Sequence, residues 1–186
     1  MVNVQTFTKR KQQNRKISMV TCYDFWSAKI INQSDIDCIL VGDSLAVVMH
    51  GFDSTVHATL DMMKMHVAAV VRGAHDKFVV ADMPFLSCSK GITVGMDAVQ
   101  ELMQTGASAV KIEGAAHQAD LIAHIVEAGV PVMGHIGLTP QSIHSQLLRT
   151  WDISKPNDGS ACTGAPGLNT FVNPHREGRF RPLLRS

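Results

Sequence analysis

The chain predicts an α/β fold built on a parallel sheet. Three observations carry that prediction. Five short apolar runs alternate with helix-like segments up to about residue 140. The runs are β-branched and almost wholly apolar, as strands covered on both faces must be. Each run also ends in a carboxylate or a histidine, at Asp24, Asp43, Asp82, Glu113 and His135. Strict alternation of the two element types implies right-handed crossovers, with every strand running the same way.

The first run is "KISMVTCYD", Lys16 to Asp24, and a helix-like "FWSAKIINQSD" follows it. "CILVGDSL" holds the second strand, which extends to Ser44. In "TLDMMKMHVAAVVRGA", Leu60, Met63, Val67 and the pair Val70 and Val71 recur at the three-to-four spacing of an amphipathic helix. "FVVADMP" is the third strand. "ITVGMDAVQELMQTG" places Met96, Val99, Leu102 and Met103 on one helical face and closes with Gly106 as a cap. "SAVKIEG" is the fourth strand. "HQADLIAHIVEAG" is a helix with Leu121, Ile122, Ile125 and Val126 turned inward and Gly129 at its end, and "VPVMGHIGL" is the fifth strand.

The 186 residues are 45% hydrophobic with a formal net charge of +1, enough for one domain with a sizeable core. No stretch approaches the roughly 20 apolar residues that span a bilayer, so no membrane partner is expected. Near-zero charge and 5% aromatic content give no support to nucleic-acid binding. The amino-terminal "MVNVQTFTKRKQQNRK" is polar and basic without an apolar centre, unlike a secretory signal. Its lack of acidic residues is shared with mitochondrial transit peptides; the reading adopted is a polar helix or arm. Cys22, Cys38, Cys88 and Cys162 show no C-x-x-C pairing. That argues against a zinc knuckle or a disulfide framework and fits a reducing cytosol.

In a parallel α/β fold the carboxyl ends of all strands meet on one face, and in a barrel they converge on its axis, where active sites sit. A single Asp at a strand end is as often a helix N-cap or a turn residue. Asp24, Asp43, Asp82, Glu113 and His135, on successive strands, are read as one polar ring. Lys111 and Glu113 are two apart, so both project to one side of their strand while Ile112 packs the other way. Two or three carboxylates and a histidine, with no cysteine, make a hard, oxygen-rich donor set that suits Mg²⁺. Such an ion polarises a 2-oxo acid held through its carboxylate and carbonyl. Lys111 would offset negative charge on the substrate or on a developing oxyanion. His135 has two readings, a donor to a substrate oxygen or a structural histidine bonded to backbone. Glu113 has a second reading as the ion-pair partner of Lys111.

The motifs "VGDS", "GFDSTVHATLDMMKMHVAAVVRGA", "ADMPF", "VKIEG" and "GHIGLTPQS" fall between about residue 16 and residue 142. Their order and spacing closely resemble ketopantoate hydroxymethyltransferase, or 3-methyl-2-oxobutanoate hydroxymethyltransferase. The resemblance implies an incomplete (β/α)₈ TIM barrel of about five βα units over residues 1–142. It implies an enzyme that uses Mg²⁺ and methylenetetrahydrofolate to transfer a hydroxymethyl group onto 3-methyl-2-oxobutanoate. The product would be 2-dehydropantoate, for pantothenate biosynthesis. By matching position, Asp43, Asp82 and Glu113 would be metal-site residues, and Asp43, Ser44, Asp82 and Lys111 would hold the keto acid. His135 would sit against the reacting groups as the catalytic residue. The implied setting is cytoplasmic, with the 2-oxo acid and the folate as partners and a homo-oligomeric assembly. The phosphoenolpyruvate mutase and isocitrate lyase enzymes, which also handle 2-oxo acids with Mg²⁺, are the alternative; "VKIEG" with "GHIGLTPQS" favours the transferase. An open doubly wound nucleotide-binding sheet is disfavoured, because "TCYDFWSAK" lacks the glycine-rich turn expected there.

After Ser142 the resemblance stops. The family continues with three more βα units and a general-base glutamate after its sixth strand. Residues 143–186 offer no counterpart, and Glu177 lies in no matching context. Five of the eight arginines and four of the seven prolines fall in these 44 residues. Their formal charge is six basic minus three acidic, +3, against −2 for the rest. Pro and Gly recur every few residues without helical or alternating periodicity, so the tail is read as disordered. A shifted reading frame is the favoured origin, and a genuine basic tail is the other. A barrel of five strands is expected to leave its first and fifth strands with unpaired backbone groups and to associate or aggregate through them. Little transferase activity is then expected, and an inactive fragment that binds full-length subunits is the remaining reading.

Overall fold

The computed structural model describes residues 3–114, 118–136 and 168–172, with the backbone alone at 136 and 168–172. In chain order the elements are α1 (Val4–Gln12), β1 (Met19–Thr21), α2 (Phe25–Asn32), β2 (Cys38–Val41) and α3 (Leu45–Val48). A 3₁₀ turn at Thr55–His57 leads into α4 (Leu60–Gly73), β3 (Phe78–Asp82), α5 (Ile92–Gln104) and β4 (Ala109–Glu113). Then come α6 (Ala119–Glu127), β5 (Val132–Ile136) and β6 (Leu168–Val172).

β1 to β5 are parallel and stand side by side in sequential order. Sequential order is the winding of a barrel, in which every crossover returns on the same side; a doubly wound sheet reverses its order at a switch point. The two-residue period of the strands therefore separates two environments. Ile39, Val41, Val79, Ala81, Val110, Ile112 and Val132 point outward, packed under α2, α4, α5 and α6 through residues such as Ala28, Met63, Leu102 and Ile125. The alternate residues Cys38, Phe78, Val80, Ala109 and Met133 face inward and form a second apolar cluster with Val4 and Phe7 of α1.

α1 is thus the stopper of the half-barrel. Asn3 caps it by accepting from Thr6 N at 3.0 Å. Phe7 meets Phe78 edge to face, with ring centroids 5.0 Å apart. Its polar side is tied down as well: Arg10 pairs with the buried Asp37, which also accepts from Ser18 N at 2.9 Å and Ser18 Oγ at 3.1 Å. Burial pushes the Asp37 carboxyl up, and the Ser18 bonds and Arg10 more than offset it, leaving it below the usual carboxylate range.

The helices follow the sequence pattern. Thr59 caps α4 by accepting from Met62 N at 3.2 Å, and Met63, Val67, Val70 and Gly73 are buried. Gly106 and Gly129 follow α5 and α6 at φ +96° and +92°, the left-handed conformation that ends a helix. Gly73 serves contact instead: a Cβ there would meet the Phe25 carbonyl oxygen at 2.5 Å and Ala28 Cβ at 2.8 Å, so its absence lets α4 lie against α2.

Three expectations are corrected. The first strand is only Met19–Thr21: the Ser18 N–H turns to Asp37 Oδ2, while the Ser18 carbonyl still accepts from Cys38 N at 3.1 Å. The second stops at Val41, and Ser44 already precedes α3, a short helix the apolar run concealed. Residues 168–172, "LNTFV", form β6, antiparallel to β5 from Val132↔Val172 to Ile136↔Leu168. The fifth strand is therefore paired on both sides, and part of the segment read as patternless supplies β-prone residues to its edge. The rest of the 143–186 reading lies outside the described residues.

Replacing Phe7 by Ala opens the inner cluster, and a loss of about 3–5 kcal/mol in urea unfolding is expected. Gly73→Ala should cost about 1–3 kcal/mol in the same measurement, since backbone, not a flexible side chain, blocks the added methyl.

Candidate functional site

The inward face changes character along the strands. Below, it is apolar and stoppered by α1; at the carboxyl ends it carries Asp82, Lys111, Glu113 and His135. Register brings them together, since Asp82 is opposite Lys111 and Glu113 is opposite His135 on neighbouring parallel strands. Lys111 Nζ lies 2.7 Å from Asp82 Oδ2 and 3.4 Å from Glu113 Oε1. His135 Nδ1 lies 3.1 Å from the same Glu113 oxygen. The result is a chain of four charged or imidazole groups across three strands. Ile112 packs outward, as the spacing requires.

Asp43 and Ser44 enter from the turn after β2. Asp43 is 4% exposed, and its backbone N–H makes a long 3.5 Å contact to Asp82 Oδ2. Gly42 leaves space for the Ser44 hydroxyl: a Cβ there would sit 2.9 Å from Ser44 Oγ. Ser44 Oγ is 2.8 Å from the Tyr23 hydroxyl. Tyr23 was absent from the sequence-based candidates; its place between the first strand and Asp24 was the available signal. Asp24 is the reverse case. Its carboxylate accepts from Ser27 N and Ser27 Oγ, both at 2.8 Å, as the N-cap of α2. The Ser27 amide bond chiefly holds its carboxyl below the usual range. The ring read from the sequence thus loses Asp24 to capping and gains Tyr23.

Burial dominates the electrostatics. It pushes the Asp82 carboxyl up to about 7; Lys111 pulls it down and Asp43 pushes it further up. Burial opposes the Lys111 ammonium, but Asp82 and Glu113 outweigh it and raise the amine above its ordinary value. At Glu113 burial also pushes upward, and His135 and Lys111 more than offset it, so this carboxyl falls below the usual range. Glu113 is thus held as an anion by the cation and the imidazole beside it. His135 meets the Glu113 carboxylate through Nδ1, which is not the backbone bond of a purely structural histidine.

One oxygen stands out. Asp82 Oδ1 is buried with no hydrogen-bond partner among the described residues. A buried acceptor left bare costs roughly 1–3 kcal/mol. A cation or a donor group of a ligand is what this atom lacks. Among the described residues no three His, Cys, Asp or Glu side chains are gathered into a preformed metal cage. Lys111 stands between Asp82 and Glu113, and Asp43 is the other buried carboxylate beside Asp82; Mg²⁺ characteristically uses one or two carboxylates with water and substrate oxygens.

A sequentially wound half-barrel with a largely buried carboxylate–lysine–histidine rim defines a β/α-barrel protein. The sequence makes this specific. Residues 1–148 match the family model for ketopantoate hydroxymethyltransferase, and the chain belongs to that family. The match includes α1, ahead of the first recognisable motif. A 3-methyl-2-oxobutanoate hydroxymethyltransferase of Coxiella burnetii is 57% identical over 145 residues, covering 77% of this chain and 54% of the relative. Those of Bdellovibrio bacteriovorus and Francisella tularensis subsp. novicida are 56% and 54% identical, each with 55% of its length covered. The chain spans about half the length of the curated relatives it matches. Among solved structures, phosphonopyruvate hydrolase in complex with oxalate and Mg²⁺ superposes with a TM-score of 0.53 at 12% identity, covering 69% of this chain and 47% of that one. Oxaloacetate acetylhydrolase superposes at 0.50 with 13% identity, covering 68% and 47%. These two share the fold. No helix among the described residues is long and apolar enough to cross a membrane.

Lys111→Met leaves Asp82 and Glu113 buried without their cation. A loss of about 3–5 kcal/mol is expected in urea unfolding at pH 8. A carboxyl with a raised folded pKa favours folding when protonated, and that contribution fades as pH rises through about 7. The Met variant should therefore be less impaired at pH 5 than at pH 8.

Proposed function

We propose that these residues form the keto-acid half of a hydroxymethyl transfer, in which 3-methyl-2-oxobutanoate receives a one-carbon unit from methylenetetrahydrofolate to give 2-dehydropantoate for pantothenate biosynthesis. The bare, buried Asp82 Oδ1, on a carboxyl whose other oxygen meets the Asp43 N–H, carries the reading, within a chain of that family. Asp43 and Asp82 would hold Mg²⁺. A bound Mg²⁺ would polarise the keto carbonyl and so acidify the C3–H. Lys111 supplies fixed positive charge to the carboxylate and carbonyl oxygens of the acid without having to reorganise. Ser44, steadied by Tyr23, offers a hydroxyl to the same oxygens. Glu113 orients His135 through Nδ1, which sets the ring to meet the reacting groups from the rim. Tight walls of Val80 and Ala109 below the polar groups keep water from that side.

Assembly from more than one subunit belongs to the same proposal. α2 presents Phe25, Trp26 and Ile30 at 47%, 69% and 57% exposure, more apolar surface than one helix of a monomer ordinarily shows to water.

Because the chain spans half the length of its relatives, binding is a more direct readout than turnover. Calorimetric titration with 3-methyl-2-oxobutanoate is expected to give heat in Mg²⁺ and at least tenfold weaker binding in EDTA. Asp43→Asn and Asp82→Asn should each bring the Mg²⁺ titration down to the EDTA level. Binding indifferent to EDTA and to both substitutions would overturn the metal and keto-acid assignment. Keto acid-dependent release of tetrahydrofolate measures the transfer step separately.

A further inference from the structure

His50 and His66 form a second constellation outside the keto-acid residues. His66 lies on the second turn of α4, and His50 follows α3 by two residues. Their Nε2 atoms are 2.9 Å apart, with ring planes at 84°. His66 Nδ1 is 2.6 Å from the Tyr23 carbonyl oxygen. A carbonyl can only accept, so Nδ1 carries the proton and the neutral ring turns its Nε2 lone pair toward His50. His50 Nε2 donates across the gap. An imidazole anchored through its far nitrogen on a backbone carbonyl is oriented as metal-binding histidines are.

We propose that His50 and His66 together bind a divalent transition metal of the imidazole-preferring class, with Zn²⁺ as the probe ion. The proton on His50 moves from Nε2 to Nδ1, so both Nε2 lone pairs face the ion and no proton leaves the ring. Zn–N bonds of about 2.0–2.1 Å at a tetrahedral angle place the two nitrogens roughly 3.3–3.4 Å apart. The gap must therefore open by only about 0.4 Å beyond the hydrogen-bonded spacing. His50 can supply that movement, since it is exposed and lies just past a four-residue helix, whereas His66 is half-buried and held. Among the described residues no third His, Cys, Asp or Glu completes a cage. Water fills the remaining positions, giving an open two-histidine site. Two nitrogen donors also separate it chemically from Asp43 and Asp82, because Mg²⁺ selects oxygen and Zn²⁺ accepts imidazole.

The test is a Zn²⁺ titration of the full chain in excess Mg²⁺, repeated with His50→Ala. The wild type should show a Zn²⁺-binding step that His50→Ala removes or weakens at least tenfold. His57→Ala, an exposed histidine near Asp53, should leave that step unchanged, and so should Asp82→Asn. Cu²⁺ provides an independent readout: nitrogen couplings from two imidazoles in its electron paramagnetic resonance spectrum should diminish in His50→Ala. Should His66→Ala unfold through loss of its anchor on Tyr23, the exposed His50 still decides the matter. Identical isotherms and identical spectra for wild type and His50→Ala would overturn the site.

Discussion

The ammonium of Lys111 stands 2.7 Å from Asp82 and 3.4 Å from Glu113, all three nearly sealed from water, and the rest of the polar rim is arranged around it. Two carboxylates so close in a low-dielectric pocket repel each other unless a cation lies between them. With Lys111 present, Glu113 stays ionised and can orient His135, while Asp82 meets the Asp43 N–H through Oδ2 and keeps Oδ1 without a hydrogen-bond partner among the described residues. Burying such a group of charges costs several kcal/mol per ion, and an apolar core of the same volume would be no less stable. The arrangement is supported by a stable fold and is not itself a source of stability.

That support comes from the other end of the same inner face. α1 closes the lower mouth of the half-barrel with Val4 and Phe7, and the pair of Arg10 with the buried Asp37 fastens the helix to the start of the sheet. Outside, α2, α4, α5 and α6 cover the strands through one continuous apolar layer. The strands are thereby held rigid on both sides, and rigid strand ends keep the polar rim in register. β6 adds to this by pairing with the edge of β5. It runs antiparallel, unlike the strands of the winding it borders, so it occupies the place of a barrel strand without its polarity.

Family membership and fold likeness contribute different things. Identity of 54–57% over some 145 residues ties more than three quarters of the chain to one family. Likeness at 12–13% identity to phosphonopyruvate hydrolase and oxaloacetate acetylhydrolase concerns the scaffold alone. A β/α winding presents strand ends to one face whatever the side chains are, and the chemistry resides in which residues stand there.

Periodicity and order were legible from the residues alone. Apolar runs set apart by helices dictated parallel strands, and the two-residue spacing of Lys111 and Glu113 put both on one side of β4, because strand geometry is local. Met63, Val67, Val70, Leu121, Ile122 and Ile125 were recognisable as buried faces for the same reason. What depended on partners distant in sequence was not legible. Tyr23 joined the site only when Ser44, 21 residues further on, came within 2.8 Å. "LNTFV" became a strand only because β5 offered it an edge. Local spacing decides which face of an element a side chain occupies; the folded chain alone decides what it meets there, since hydrogen bonds and ion pairs depend on distances that sequence separation does not encode.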